Sequence, residues 1–268
     1  MTYFAPETEK HLTAAGLEPG RMSYFAGRAA PMGAVSGSVV AATFFNFSPA
    51  LIARHIPKAW SLASPADLVA ARFEAVDGAL RRLLGDDVVA SPEVAEAADL
   101  ARRAAEAAEP QGRPLAAGHL DVEWPSAPHL VLWHALSVLR EHRGDGHIAL
   151  LVDAGLSGID ALVTATATGT GFVPPFARAS RGWTEDEWAA CEVSLRERGL
   201  LGDGLSLTPE GNALRERIED DTNRLGAAPW EALGEEGTAR LGELGRPLVR
   251  GLLKAGCFPA EGVFATRR

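Results

Sequence analysis

The stretch LLGDGLSLTPE, residues 200–210, decides how the rest of the chain is read. A Gly-Asp-Gly turn separates a Leu-Leu pair from the alternating Leu205 and Leu207, the pattern of a miniature β-hairpin. Thr208-Pro209 then supplies a capping hydroxyl and a proline at the first helical position. Upstream, TEDEWAACEVSLRER (residues 184–198) has a helical pattern, and Thr184 with Glu187 three residues on makes a capping box. The order is helix, hairpin, helix.

A second copy of the stretch lies earlier in the chain. Residues 83–93 read LLGDDVVASPE, and six of the eleven positions are identical to residues 200–210. Both copies follow an amphipathic segment with leucine and arginines (ALRR, SLRERG), and both precede a charged helix. Further out, FFNFSPALIARHI matches HRGDGHIALLVDA in shape: an apolar segment ends, a capping Ser or Asp follows, then a short apolar helix begins. This agreement supports an internal duplication. The expected organisation is a degenerate helical unit over residues 1–122, a second unit over 123–225, and packing helices with a tail over 226–268.

Helices should dominate, because alanine is abundant and β-branched runs are short. Their starts are marked by Ser48-Pro49, Ser64-Pro65, Ser91-Pro92, Pro128 and Thr208-Pro209. Residues 109–114, 124–128 and 169–182 are candidate linkers. No run of apolar residues approaches a membrane span, and the first ten residues lack the charge and apolar pattern of a signal peptide, so a cytoplasmic location is expected. The two cysteines, Cys191 and Cys257, are too few for a zinc or disulfide framework and read as core residues.

From residue 129 to about 256 the chain resembles the MarR-type winged-helix family. The resemblance rests on RERGLL, the hairpin GDGLS and the LTPEG helix start, followed by long C-terminal helices. RAAPMG, FFNFSP and LREHRGDGH also resemble motifs of a group of actinobacterial helix-turn-helix proteins. The resemblance implies a mainly α fold with short β-hairpin wings, arranged as two tandem winged-helix units in an intrachain pseudo-dimer. It further implies a small-molecule pocket between helical and winged parts, in a monomer or weak homodimer.

Charge argues against duplex DNA as the partner. The chain carries a net charge of −9. Over residues 183–222 there are eleven acidic residues against four arginines, a balance of −7. Of the two candidate recognition helices, residues 157–169 have no Lys or Arg. Residues 184–198 begin with Glu185, Asp186 and Glu187, where a recognition helix would meet the DNA. Affinity for a duplex comes chiefly from Lys and Arg at phosphates. A scaffold that has lost DNA binding is expected, with a ligand-responsive regulator as the alternative.

The remaining polar pattern points to a site. The segment from His129 to His142 is apolar on most sides, yet His134, Ser137 and Glu141 share one stripe, and HRGDGH follows at residues 142–147. A turn is expected there, with Asp145 capping the next helix and Arg143 projecting. Two readings stay open: an internal hydrogen-bond network, or a pocket in which Arg143 holds an anionic group. In the pocket reading His134, Trp133 and Asp145 line the ligand, and His142, His147 and Glu141 carry acid–base capacity. Arg28, Tyr24, Phe44, Phe45, Asn46 and Phe47 complete it from the first unit. The expected ligand is small and apolar or aromatic, with room for an anionic group. No spacing matches an established metal motif, and nothing names a cofactor.

Overall fold

The computed structural model describes residues 2–258 and 263–264. Among these, fourteen α-helices occur and no sheet. In chain order they are α1 (Pro6–Ala14), α2 (Arg21–Ala29), α3 (Gly37–Thr43), α4 (Pro49–Ala53), α5 (Pro65–Leu84), α6 (Asp86–Val89) and α7 (Pro92–Glu106). There follow α8 (Pro114–Leu120), α9 (Pro128–Asp153), α10 (Gly158–Ala167), α11 (Pro174–Arg181), α12 (Glu185–Glu197), α13 (Pro209–Leu225) and α14 (Ala228–Lys254). A non-helical Gly234 breaks α14. Among the described residues no single helix is long and apolar enough to cross a membrane.

The expected helix starts are in place, and the reason is local chemistry. The Ser64 and Ser91 hydroxyls accept from the amides of Asp67 and Val94. Thr184 and Glu187 form the anticipated capping box, and Ser157 with Asp160 forms another. Each satisfies amides that the first helical turn leaves without partners. The 169–182 segment is more ordered than a linker: the Pro174-Pro175 pair opens α11.

The two similar stretches fold differently. In residues 200–210 the chain reverses through Gly204 at φ +66°, and Leu201 bridges Leu207 in antiparallel fashion. Gly202 N–H donates to the Ser206 carbonyl at 3.0 Å and Thr208 N–H to that of Leu200 at 3.1 Å. The closure is one bridge and not a pair of strands. In residues 83–93, Asp87 stands where Gly204 stands in the other copy. Without a glycine at that corner the backbone stays right-handed and forms α6, so the expected hairpin is replaced by a helical turn. Val89 of that turn is buried with Val76 and Leu80.

The turn expected at HRGDGH is also absent, because α9 runs unbroken through it. Gly144 and Gly146 each cost a helix about 1 kcal/mol relative to alanine. Gly146 has a packing reason to be there: a Cβ on it would overlap the guanidinium of Arg113. That guanidinium donates to the His142 carbonyl and, at 2.8 Å, to that of Leu225.

The described residues fall into two compact units that interleave along the chain. The first holds residues 2–36, 55–146 and 225–258; the second holds 37–54, 147–224 and 263–264. The expected division at 122/123 lies inside the first unit, and 225/226 lies one residue from an observed junction. In the first unit the alanine face of α7 (Ala97, Ala101, Ala104, Ala105) packs with Ala135, Val138 and Leu139 of α9 and Leu233, Leu241 and Leu244 of α14. Small residues on one face allow such helices to approach closely. In the second unit, Leu162, Val163, Trp188, Leu195, Leu201 and Ile218 form the core, and Phe45 packs against it.

Gly158, the first residue of α10, sits against the main chain of Phe45, and a Cβ there would overlap the Phe45 carbonyl oxygen. Gly158→Ala is expected to lower the unfolding midpoint by several degrees, since rigid backbone cannot yield as a side chain would. Gly242→Ala, at a position with nothing within 4 Å of the added Cβ, is the control and should be neutral or stabilising. Equal midpoints for the two variants in thermal unfolding would contradict this packing.

Candidate functional site

The first unit buries an unusual set of polar side chains, contributed by four helices. Arg28 comes from α2, Arg72 from α5 and His119 from α8. Trp133, His134, Glu141, His142 and Asp145 come from α9. Glu141 is 3 % exposed and accepts a bidentate pair from Arg28, Nε to Oε1 at 3.1 Å and Nη2 to Oε2 at 2.7 Å. Arg140 adds a further charged contact from the exposed side. Burial alone would raise the Glu141 pKa, but the positive charges of Arg28, Arg140 and Arg72 outweigh it and hold the carboxyl below its usual range. A planar guanidinium forked onto a carboxylate is the strong form of such a pair.

Asp145 is buried as well, and it does cap a helix, though not the one after it in sequence. Its Oδ2 accepts from the amides of Leu115 at 3.0 Å and Ala116 at 2.9 Å, in the first turn of α8. Burial pushes its pKa up to about 6 in spite of these two donors. His142 is buried above the Arg113 contact, and burial, reinforced by Arg113, brings its pKa down to about 4.

Around His134 the surroundings become aromatic. Its ring lies 4.8 Å from that of Trp124 and 5.7 Å from Phe73, centroid to centroid, both edge-on. The His119 ring is 5.9 Å away. Among the described residues neither ring nitrogen of His119 has a hydrogen-bond partner, nor has Nε2 of His134. Burial, with Arg72 nearby, holds His134 at about 4 and His119 well below its ordinary value. The Arg72 guanidinium lies 5.2 Å over the Trp133 ring.

On the other side of Trp133 is an apolar cavity of about 510 Å³. Its walls are Leu80 and Leu84 of α5, Val89 of α6, Val94 and Ala97 of α7, Leu132 and Leu136 of α9, and Leu241, Gly242, Gly245 and Leu248 of α14. Polar groups are few: the Thr238 hydroxyl, the indoles of Trp133 and Trp230, and His129, whose Nε2 is 2.7 Å from Asp77. A larger groove of about 820 Å³ crosses α1, α5 and the 122–125 loop, but it is more open to solvent and carries Glu74, Asp77 and Glu123.

The residues expected to form a site from the sequence are thus divided. Arg28, Tyr24, Trp133, His134, Glu141, His142, Arg143 and Asp145 lie in the first unit; Phe44, Phe45, Asn46, Phe47 and His147 lie in the second. Within the first unit the structure joins Arg28 to Glu141. Arg143 is half-buried, and the two guanidinium groups described on Glu141 belong to Arg28 and Arg140. Tyr24 is half-buried and stacks edge-on with Tyr3 at 5.2 Å. In the second unit Phe44 and Phe47 are buried, the Asn46 carbonyl accepts from Trp183 Nε1 at 3.0 Å, and His147 Nδ1 is 2.8 Å from the Thr222 hydroxyl. Among the described residues no group of three or more His, Cys, Asp or Glu could hold a metal ion.

Sequence reasoning passed over Arg72 and His119. The signal for Arg72 was present: it occupies the buried stripe of α5 with Leu68, Ala75, Val76 and Ala79. A charged residue on an apolar stripe is the informative exception.

The chain belongs to the helix-turn-helix family, whose model matches residues 1–259. No curated protein and no solved structure matches it.

The histidines set the sign of a pH dependence. His134 and His142 ionise near 6.5 when unfolded and near 4 when folded. Between those values the unfolded chain holds protons the folded chain lacks, so stability is present above about 6.5 and is lost as pH falls toward 4. Asp145, with its folded pKa raised to about 6, acts in the opposite sense over the same range. Two imidazoles outweigh one carboxyl. The unfolding midpoint is therefore expected to fall by several degrees between pH 7 and pH 4.5, and His134→Gln should flatten that slope. A midpoint that rises on acidification, or a slope that the variant leaves unchanged, would contradict the assignment.

Proposed function

We propose that this helix-turn-helix protein binds an apolar or aromatic small molecule in the cavity of its first unit. The observation that carries the reading is the cavity itself. At about 510 Å³ it falls in the range of small-molecule sites, and its lining is apolar with a few polar handles. Its wall residues Leu136, Trp230 and Val249 are exposed large hydrophobics, so apolar surface continues outward from the cavity. The buried polar cluster behind Trp133 orders that wall. Neither Glu141, committed to two arginines, nor His142 or His147 is needed as an acid or base.

DNA binding is weakened in this reading. The first turn of α12 exposes Glu185, Asp186 and Glu187. Arg178, Arg196, Arg198 and Arg224 each pair with a carboxylate of the second unit. Cations held this way neutralise phosphates poorly, and exposed carboxylates repel them. The family supports a second reading, a ligand-responsive regulator of MarR-like type, in which the loop closed by Leu201 and Leu207 is a minimal wing. An electrophoretic shift with genomic fragments at low salt separates the two. We expect only weak, sequence-independent retention; a discrete complex that survives competitor DNA would favour the regulator.

The cavity is tested by filling it. Gly245 of α14 lines it and has nothing within 4 Å of an added Cβ. Gly245→Leu should occupy the space and replace a helical glycine, so it is expected to raise the unfolding midpoint while reducing binding of an anilinonaphthalene dye at least tenfold. Unchanged dye binding would remove this cavity as the site.

A further inference from the structure

The charges buried in the first unit are not all paired. Glu141 answers Arg28 and Arg140, and Asp145 is turned to the amides of α8. Arg72 is left over. Its side chain is 6 % exposed, and among the described residues it has no carboxylate partner and no hydrogen bond, only the face of Trp133. Glu141 acts on it only through the field, and a largely buried guanidinium with no acceptor in contact is unfavourable unless something else fills that role. Beside it, His119 has two unpartnered ring nitrogens and His134 has one, each ring being 1 % exposed.

These three side chains meet at one place. Together with Val69, Phe73 and Trp133 they line a niche of about 10 Å³. That is room for a single sphere of about the size of a water molecule. A space of that size has no room for a large polyatomic anion, and all three side chains are among its walls.

We propose that this niche binds one small monatomic anion of the halide class, held by the Arg72 guanidinium and a ring N–H of His119. The anion supplies the contact partner that Arg72 otherwise lacks. His134 completes the wall. When it takes up a proton its Nε2 becomes a third donor, so anion and proton each favour the binding of the other. The charged and titratable groups around the niche are Tyr3 near the N-terminus, Arg28 from α2, Arg72 from α5, His119 from α8, and His134, Arg140 and Glu141 from α9. Even with His134 neutral their sum is positive. Trp133 is common to this niche and to the apolar cavity, so an anion held by Arg72 would fix one wall of that cavity. The proposal does not depend on what the cavity binds.

The test uses the full chain. Thermal unfolding is compared in sodium chloride, sodium bromide and sodium gluconate at equal ionic strength, at pH 7.5 and pH 5.5. Gluconate is too large for the niche. Chloride and bromide are expected to raise the midpoint by about 2–4 °C over gluconate, more at the lower pH, and Arg72→Met should abolish the difference. Crystals grown in bromide should show an anomalous peak between Arg72 and His119. The crystal result stands whether or not the variant folds. Equal midpoints in the three salts, or a niche holding water with no anomalous peak, would overturn the proposal.

Discussion

The bidentate pair between Arg28 and Glu141 is the contact on which the interior of the first unit depends. It ties α2 to the middle of α9, and it lets the Glu141 carboxylate stand 3 % exposed inside the fold. Removing one partner of such a pair leaves the other charged and unsolvated, which costs more than the pair contributes when intact. With Glu141 fixed, Asp145 lies one turn further along and reaches the start of α8. That contact places His119, and through it the aromatic and imidazole cluster that backs Trp133.

Much of this could be read in the residues, and the failures have physical causes. Helix starts were legible because caps are local: Ser64, Ser91 and Thr184 satisfy amides three residues away. The stripe of His134 and Glu141 was legible because helical period is local too. The partners were not. Glu141 meets Arg28 from 113 positions away, and no spacing encodes that. HRGDGH misled because glycine beside aspartate is a turn signal, whereas here Gly146 makes room for Arg113 and Asp145 caps a helix earlier in the chain. The paired stretches at 83–93 and 200–210 show how little separates two outcomes. Six identical positions do not override one exchange, Asp87 for Gly204, at the corner that needs a positive φ.

Membership of the helix-turn-helix family sets the scaffold and leaves the function to the sites. The features of the two units point in different directions. The second carries the candidate DNA-facing helix, and Arg178, Arg196, Arg198 and Arg224 are spent on its own carboxylates. The first carries an apolar cavity walled by α5, α6, α7, α9 and α14, with a polar interior behind one wall. Buried polar groups reduce stability unless they are satisfied, so a cluster that leaves imidazole nitrogens and a guanidinium without hydrogen-bond partners among the described residues marks a place where something else is expected.

The central claim is that the first unit encloses a working ligand site. Native mass spectrometry of the freshly purified full chain tests it most directly. We expect a single chain carrying one small organic molecule, released on mild collisional activation and retained again when the apolar extract is added back. A chain that stays at its bare mass both as purified and after that addition would contradict it.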